Sequence, residues 1–350
     1  MLVFSSEKIK SLVSMVDAIE CVAKGFSDFD DGFFHMPQRS VMDINGATVL
    51  TMPCYRKGGK YFVIKVVTVY KDSSNRKGKM INSSVFVFDS NTGSLVASLD
   101  GDSITAIRTG AASGLATKFF SSLKSETLAV YGTGTQAHTQ VQAVISCRPI
   151  KSVFIYSRNL KSAKIFSNYI YNFFSIDAYP GKQEDLKNID IICTATPSKD
   201  SLFELCVLKS GVHINAVGSF KPNMKEIHSD IINASEIIVD SLEACKKEAG
   251  DLIQAKEKSN WDFDHISMQL GEASKIGKKL IAFSKNNTVF KQQIDQPLGF
   301  GGLGQQGAAC SSQELLGATL RQDRCLLRQD RCFNSSHLFC LNSRHLSCLN

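Results

Sequence analysis

Apolar and polar positions follow three different rhythms along the chain. Over residues 5–30 Ile9, Leu12, Val13, Val16 and Ile19 recur at three-to-four spacing, which predicts one or two amphipathic helices with Ser5 or Ser6 as N-cap. Then come "ATVLTMPCY", "YFVIKVVTVY" and "SSVFVFDSNTGSLVASLDG", rich in β-branched and aromatic residues, the last with a hairpin turn at Asn91-Thr92-Gly93. Three such runs in succession predict an antiparallel sheet. "SITAIRTGAASGLATKFF" returns to helix, and its small residues predict close packing. After residue 125 short apolar runs ("TLAVYG", "SVFIYS", "SIDAYP", "DIICTAT", "VHINAVG", "EIIVDS") alternate with helical segments ("TQAHTQVQAVIS", "NLKSAKIFSNYIYNF", "EDLKNI", "MKEIHSDIINAS"). Strand–helix alternation of this kind predicts a doubly wound parallel sheet.

The rhythm ends near Lys291, after which no lysine occurs. The remainder carries near-copies, "LRQDRC" twice and "SSHLFCLN" followed by "SRHLSCLN", and reads as a low-complexity tail over 292–350, expected to be disordered. Two His-x-x-Cys pairs there, His337/Cys340 and His345/Cys348, are separated by fewer residues than in common zinc knuckles, so no metal site is expected.

Composition narrows the class. With 350 residues the chain is long enough for two domains, and 43% hydrophobic with 21% charged residues is ordinary for a globular protein. No apolar run approaches the ~20 residues that span a bilayer, and "MLVFSSEKIK" turns polar too soon for a signal peptide, so a cytoplasmic protein without a membrane partner is expected. The net charge of +7 comes from scattered lysines without interleaved aromatics, which argues against a nucleic-acid partner. Of 11 cysteines, the six before the tail stand singly among apolar neighbours and read as reduced thiols.

The strongest local motif is "LAVYGTGTQAHTQ". A strand runs into Gly132-Thr133-Gly134-Thr135-Gln136-Ala137, a G-x-G-x-x-A turn that opens a helix. The first glycine permits a tight turn, the second lets backbone approach a pyrophosphate, and Ala137 allows close helix–sheet contact. The next strand ends in Ser157-Arg158-Asn159, with no carboxylate to accept from a ribose 2′-hydroxyl. A hydroxyl, a guanidinium and an amide suit a 2′-phosphate, so NADPH is expected in preference to NADH.

Taken together, "DGDSITAIRTGAASGLATKFF", "VYGTGTQAHTQ", "CTATPS", "NAVGSFKP", "VDS" and "KEAGDL" resemble the ornithine cyclodeaminase/μ-crystallin family, in family order from about residue 1 to Lys291. The resemblance implies a Rossmann domain inserted in an α+β substrate and dimerisation domain, a nicotinamide cofactor, a small imino or amino acid substrate and a homodimer. It also implies a clasp for the substrate carboxylate made of Arg39, Lys65 and Arg108, with Lys65 and Arg108 at the chemistry. It sets Thr194, Thr196, Ser198 and Gly218 at the nicotinamide and its ribose, and leaves Glu248 and Asp251 as capping or interdomain residues.

In the family's cyclodeaminases an aspartate stands two residues past the glycine after the "NAV" strand. Here the order is Gly218-Ser219-Phe220, and a phenylalanine neither gives nor takes a proton. Reduction of a cyclic C=N bond needs no acid there, and an aromatic wall at Phe220 suits the ring of an imine. A second departure follows "TVFK". Where the family continues with a serine-glycine turn and a helix returning to the first domain, this chain reads "QQIDQPLGFGGLGQQGAAC".

The expectation is thus an α/β protein: residues 1–118 for substrate binding and dimerisation, completed near 285–305, and 119–284 as the Rossmann domain. The function expected first is NAD(P)H-dependent reduction of a cyclic imino acid such as Δ1-pyrroline-2-carboxylate to L-proline. The alternatives are an ornithine cyclodeaminase and an inactive μ-crystallin-like binding protein.

Overall fold

The computed structural model describes residues 1–37, 39–70, 81–277 and 286–293. The chain opens with β1 (Leu2–Phe4), α1 (Ser6–Leu12) and α2 (Met15–Asp30). Ser5 and Ser14 cap the two helices by accepting from the amides of Lys8 and Asp17. There follow β2 (Phe34–His35), β3 (Ser40–Ile44), β4 (Ala47–Arg56), β5 (Tyr61–Tyr70), β6 (Ile81–Asp89) and β7 (Leu95–Asp100). Among the described residues they form one sheet in the order β1-β7-β6-β5-β4-β2, with β3 on β4. It is antiparallel throughout except where β1 pairs with β7. The alternation in β5 turns Val63, Lys65, Val67 and Val69 inward and leaves Phe62, Ile64 and Val66 half-buried on the outer face.

The second sheet is parallel. Its strands are β8 (Thr127–Tyr131), β9 (Ser152–Tyr156), β10 (Asp177–Pro180), β11 (Ile191–Thr194), β12 (His213–Ala216), β13 (Ser235–Val239), β14 (Ile266–Gln269) and β15 (Asn287–Lys291). Their order among the described residues is β10-β9-β8-β11-β12-β15-β13-β14, so the strand order reverses between β8 and β11. Helices α4 (Thr135–Cys147), α5 (Leu160–Phe174), α6 (Ser229–Asn233), α7 (Leu242–Glu248) and α8 (Gly250–Lys258) pack around it, over separate apolar clusters on its two faces.

One helix joins the layers. α3 (Gly101–Phe120) is buried nearly all round, because Ala, Gly, Ser and Thr let its neighbours come close on every side. Its first turns lie against the antiparallel sheet, where Ser83 Oγ donates to Asp102 Oδ1 at 2.8 Å. Its second half crosses the parallel sheet: Asn215 Nδ2 donates to Thr117 Oγ1 at 2.9 Å, and Thr288 Oγ1 donates to the Phe120 carbonyl at 3.3 Å. Arg148 then locks its C-terminus, donating to the Thr117, Lys118 and Ser121 carbonyls.

Two expectations are corrected. The segment expected to complete the first layer, near 285–305, begins instead with β15, placed between β12 and β13 inside the parallel sheet. The turn back to the first layer is made earlier, by α9 (Leu270–Ile276). Its Leu270 and Ala273 join the apolar cluster of α2, since residues three apart share a helix face. Gln292 and Gln293 belong to the fold as well, and are buried rather than part of a tail: Gln292 N donates to the Ala216 carbonyl at 3.1 Å. The remainder of the proposed tail, with both His-x-x-Cys pairs, lies outside the described residues.

Candidate active site

All strands of the second sheet run the same way, so their carboxyl ends share one edge. Tyr131, Thr194, Ala216, Lys291 and Val239 stand side by side there in register. In an open parallel sheet the ligand crevice lies outside this edge, at the point where strand order reverses. That point is the β8/β11 boundary, and the glycine turn occupies it.

Gly132 has φ +107, and a Cβ there would meet the Ala195 carbonyl oxygen at 2.6 Å, so only glycine fits. Gly134 is the N-cap of α4, with no side-chain cap, no acid in the first turn, and open space where its Cβ would point. A bare helix N-terminus of this kind suits a pyrophosphate. Ala137 is fully buried against the sheet, and Thr133, Thr135 and Gln136 complete the turn. The residues present therefore fit a dinucleotide. At the end of β9, Ser157, Arg158 and Asn159 are exposed, but Asn159 is not free to read a ribose with its oxygen. That oxygen caps α5, accepting from the Lys161 and Ser162 amides at 2.9 and 3.3 Å.

The nicotinamide side of the crevice is built on a residue that sequence reasoning passed over. Glu226 is fully buried. Its Oε2 accepts from Thr194 Oγ1 at 2.8 Å and from the Gly218 amide at 2.7 Å. Its Oε1 accepts from both the amide and the hydroxyl of Thr196, each at 2.7 Å. A Cβ on Gly218 would meet the Thr196 carbonyl oxygen at 2.2 Å and Glu226 Oε1 at 2.5 Å, which is why this strand must end in glycine. Thr194, expected at the nicotinamide, is instead buried and turned into this cluster, whereas Ser198 is half-buried and donates to the Asp200 carbonyl at 2.7 Å. Phe220 follows, half-buried, with Lys221 Nζ 5.7 Å from its ring centre.

Behind Glu226 stands a second buried layer. Asp251 Oδ1 accepts from the Glu226 and Ile227 amides at 2.7 and 3.0 Å. Its other oxygen lies 3.0 Å from Lys291 Nζ, both side chains fully buried, with the alignment of an ion pair rather than a well-directed hydrogen bond. Burial, and after it the charge of Asp251, raises the pKa of Glu226 above the usual carboxylate range. A charge closing the apolar run "NTVF" was the available signal: a lysine ending a buried parallel strand must find an anion at the carboxyl edge.

The three expected cations lie on β5, on α3 and between β2 and β3. Lys65, buried on β5, donates to Thr105 Oγ1 on α3 at 3.0 Å. Arg108, also buried, is one turn further along the same helix, so Thr105, which holds Lys65, and Arg108 share one side of α3. Arg108 acts electrostatically on Asp240, just beyond β13, whose carboxylate accepts from the Ser241 and Gln293 amides at 2.8 and 2.9 Å. Burial pushes Asp240 up to about 7 even so. Arg39, with a side chain only 4% exposed, enters between β2 and β3 and lies 3.9 Å from Glu248 at the end of α7. Glu248 thus meets an arginine of the other layer.

A doubly wound parallel sheet with a glycine turn at its strand-order reversal, joined by a shared helix to a second, mainly antiparallel sheet, defines a Rossmann-type α/β protein. Within that class the chain belongs to the ornithine cyclodeaminase/mu-crystallin family, which it matches over residues 1–291. It is 36% identical over 296 residues to a Δ1-pyrroline-2-carboxylate reductase of Bacillus cereus, covering 83% of this chain and 91% of that one. It is 30% identical over 287 residues to the ketimine reductase mu-crystallin of Rattus norvegicus, covering 81% and 88%. Among solved structures it is similar to Δ1-pyrroline-2-carboxylate reductase of Thermococcus litoralis in complex with NADH and L-proline, with TM-score 0.79, 29% identity, and 92% and 98% of the two chains covered.

Proposed function

We propose that this chain is an NAD(P)H-dependent oxidoreductase that reduces a cyclic imino acid of the Δ1-pyrroline-2-carboxylate type to L-proline. The observation that carries the reading is the presence of two buried cations tied to one helix: Lys65 donates to Thr105 on α3, and Arg108 lies one turn further along and acts on Asp240 beyond β13. A carboxylate entering beside Arg108 would find a planar, charged donor suited to it, which fits an imino acid substrate. The named activities of the Bacillus and rat relatives support the same chemistry.

The dinucleotide would lie on the Gly132–Ala137 turn, and when bound it supplies a hydride for the imine carbon. Arg108 and Arg39 hold the carboxylate. Lys65, tied to Thr105, is the ammonium that would pass a proton to the imine nitrogen. Phe220 walls the ring and takes no part in proton transfer. Ser157 and Arg158, exposed at the end of β9, favour NADPH over NADH.

Purified protein given Δ1-pyrroline-2-carboxylate should oxidise NADPH, and given ornithine should release no ammonia. Ammonia release without imine-dependent NADPH oxidation would return the chain to the cyclodeaminases. Phe220→Leu should raise KM for the imine and keep measurable turnover; complete loss of kcat with unchanged KM would show that the ring does more than pack. Arg158→Ala should narrow the NADPH-over-NADH preference by ~1–3 kcal/mol, the scale of a charge-assisted hydrogen bond. Equal affinity for the two cofactors in the unsubstituted protein would sink the NADPH assignment.

The reading extends to a cytoplasmic homodimer. The outer face of the antiparallel sheet carries half-buried Phe62, Ile64, Val66, Phe86 and Phe88, with the two phenylalanine rings of Phe62 and Phe88 stacked at 4.9 Å. A second copy would cover this apolar surface. Buried thiols at Cys193 and Cys245 fit a reducing compartment.

A further inference from the structure

A dinucleotide lying across the β8/β11 boundary sets its adenosine half toward β9 and its nicotinamide half toward β11 and β12. The adenosine half has its own anchors in the glycine turn and the end of β9. The nicotinamide half meets two loops, 195–198 after β11 and 217–220 after β12. No backbone hydrogen bond of the parallel ladder reaches that far, since β11 and β12 pair only as far as Thr194 and Ala216. Beyond the ladder the Val217 amide still donates to the Thr194 carbonyl at 3.0 Å, and from there Glu226 takes over. One carboxylate accepts from Thr194, twice from Thr196, and from Gly218. Its own amide is fixed by Asp251. Four donors converging on one buried side chain exceed what folding of a loop requires, and they set the spacing of the two loops.

We infer that Glu226 is a positioning residue for the nicotinamide half of the dinucleotide, acting through Thr196 and Gly218 rather than by touching substrate. Thr194 serves the same end from below, its hydroxyl being spent on Glu226. The inference rests on the proposed use of a dinucleotide but not on the identity of the imine. A carboxylate in this place accepts every hydrogen bond offered to it. An amide of the same shape turns an NH₂ group toward donors, so Glu226→Gln should shift the loops without emptying the volume.

The test compares two probes by calorimetry: NADPH, and 2′-phospho-ADP-ribose, which is the same molecule without nicotinamide. Glu226→Gln should weaken NADPH at least roughly tenfold and the fragment less than about twofold, on the scale of one charged hydrogen bond lost. The blue shift and gain in NADPH fluorescence on binding should shrink in parallel. Thr194→Val, nearly isosteric, should weaken NADPH in the same direction by a smaller factor, and it serves if Glu226→Gln does not fold. Equal weakening of both probes, or of neither, would overturn the inference and leave the reductase reading standing. Absence of NADPH and NADH binding by the unsubstituted chain would overturn both.

Discussion

Replacing Arg108 by alanine should lower kcat/KM for the imino acid by roughly 30- to 5,000-fold, a loss of about 2–5 kcal/mol in transition-state binding. The guanidinium is buried on α3, a helix held at one end by the antiparallel sheet and at the other by Thr117 and Phe120 against β12 and β15. It has no freedom to be replaced by a neighbour swinging in. Alanine there would leave Arg39 as the only arginine on the substrate carboxylate, and a partly unpaired anion in a buried site is expensive. The same substitution removes the positive charge that holds Asp240 down. Lysine should rescue poorly, because one ammonium cannot reproduce two parallel hydrogen bonds in a fixed plane. Steady-state kinetics with the imino acid and with its uncharged amide would check this. The unsubstituted enzyme should favour the acid strongly, and Arg108→Ala should discriminate little between the two. An unchanged ratio of kcat/KM values would show that Arg108 does not meet the carboxylate.

The parts of this site that could be read from sequence are those where one residue type has one mechanical use. The Gly132 turn was legible because a strand, a positive-φ glycine and a helix opening follow each other within a few residues, and the structure has that order. The strands of the parallel sheet from β8 to β13 were legible as short apolar runs. β15 was misassigned for the opposite reason: "NTVF" is too short to show which sheet it joins, and its partners β12 and β13 are distant in sequence. β14 was missed because "ISMQ" is only half-buried at the sheet's edge and carries no alternation. Lys65 was ambiguous from sequence, since an alternating strand sets a lysine on either face. The register with Met52 and Val85, and the reach to Thr105, decide it. Glu226 could not be found by spacing at all. Its partners are three residues, one ending a strand and two in loops, 8 to 32 positions away, and only the closing of two strands side by side brings them together.

Lys291→Met should destabilise the parallel-sheet layer by about 3–5 kcal/mol, the scale of a buried ion pair deprived of one partner. Lys291 and Asp251 are both fully buried, and the lysine ends the strand that fills the middle of the sheet. Methionine fills much the same volume, so the loss would come from the stranded carboxylate rather than from a cavity. Urea unfolding followed by Trp261 fluorescence reports on this layer directly, because the chain's one tryptophan packs in its apolar cluster beside Phe263. The double variant Lys291→Met/Asp251→Asn should recover part of the loss, since an amide oxygen still accepts from the Glu226 and Ile227 amides while position 251 no longer strands a charge. A single variant within about 1 kcal/mol of the parent would mean that the pair adds little to stability, and the ion pair would cease to explain why a lysine stands at position 291. The intermediate case separates stability from function. If the double variant folds nearly as well as the parent yet binds NADPH weakly, then the charge of Lys291, acting through Asp251 and Glu226, serves the nucleotide loops more than the fold.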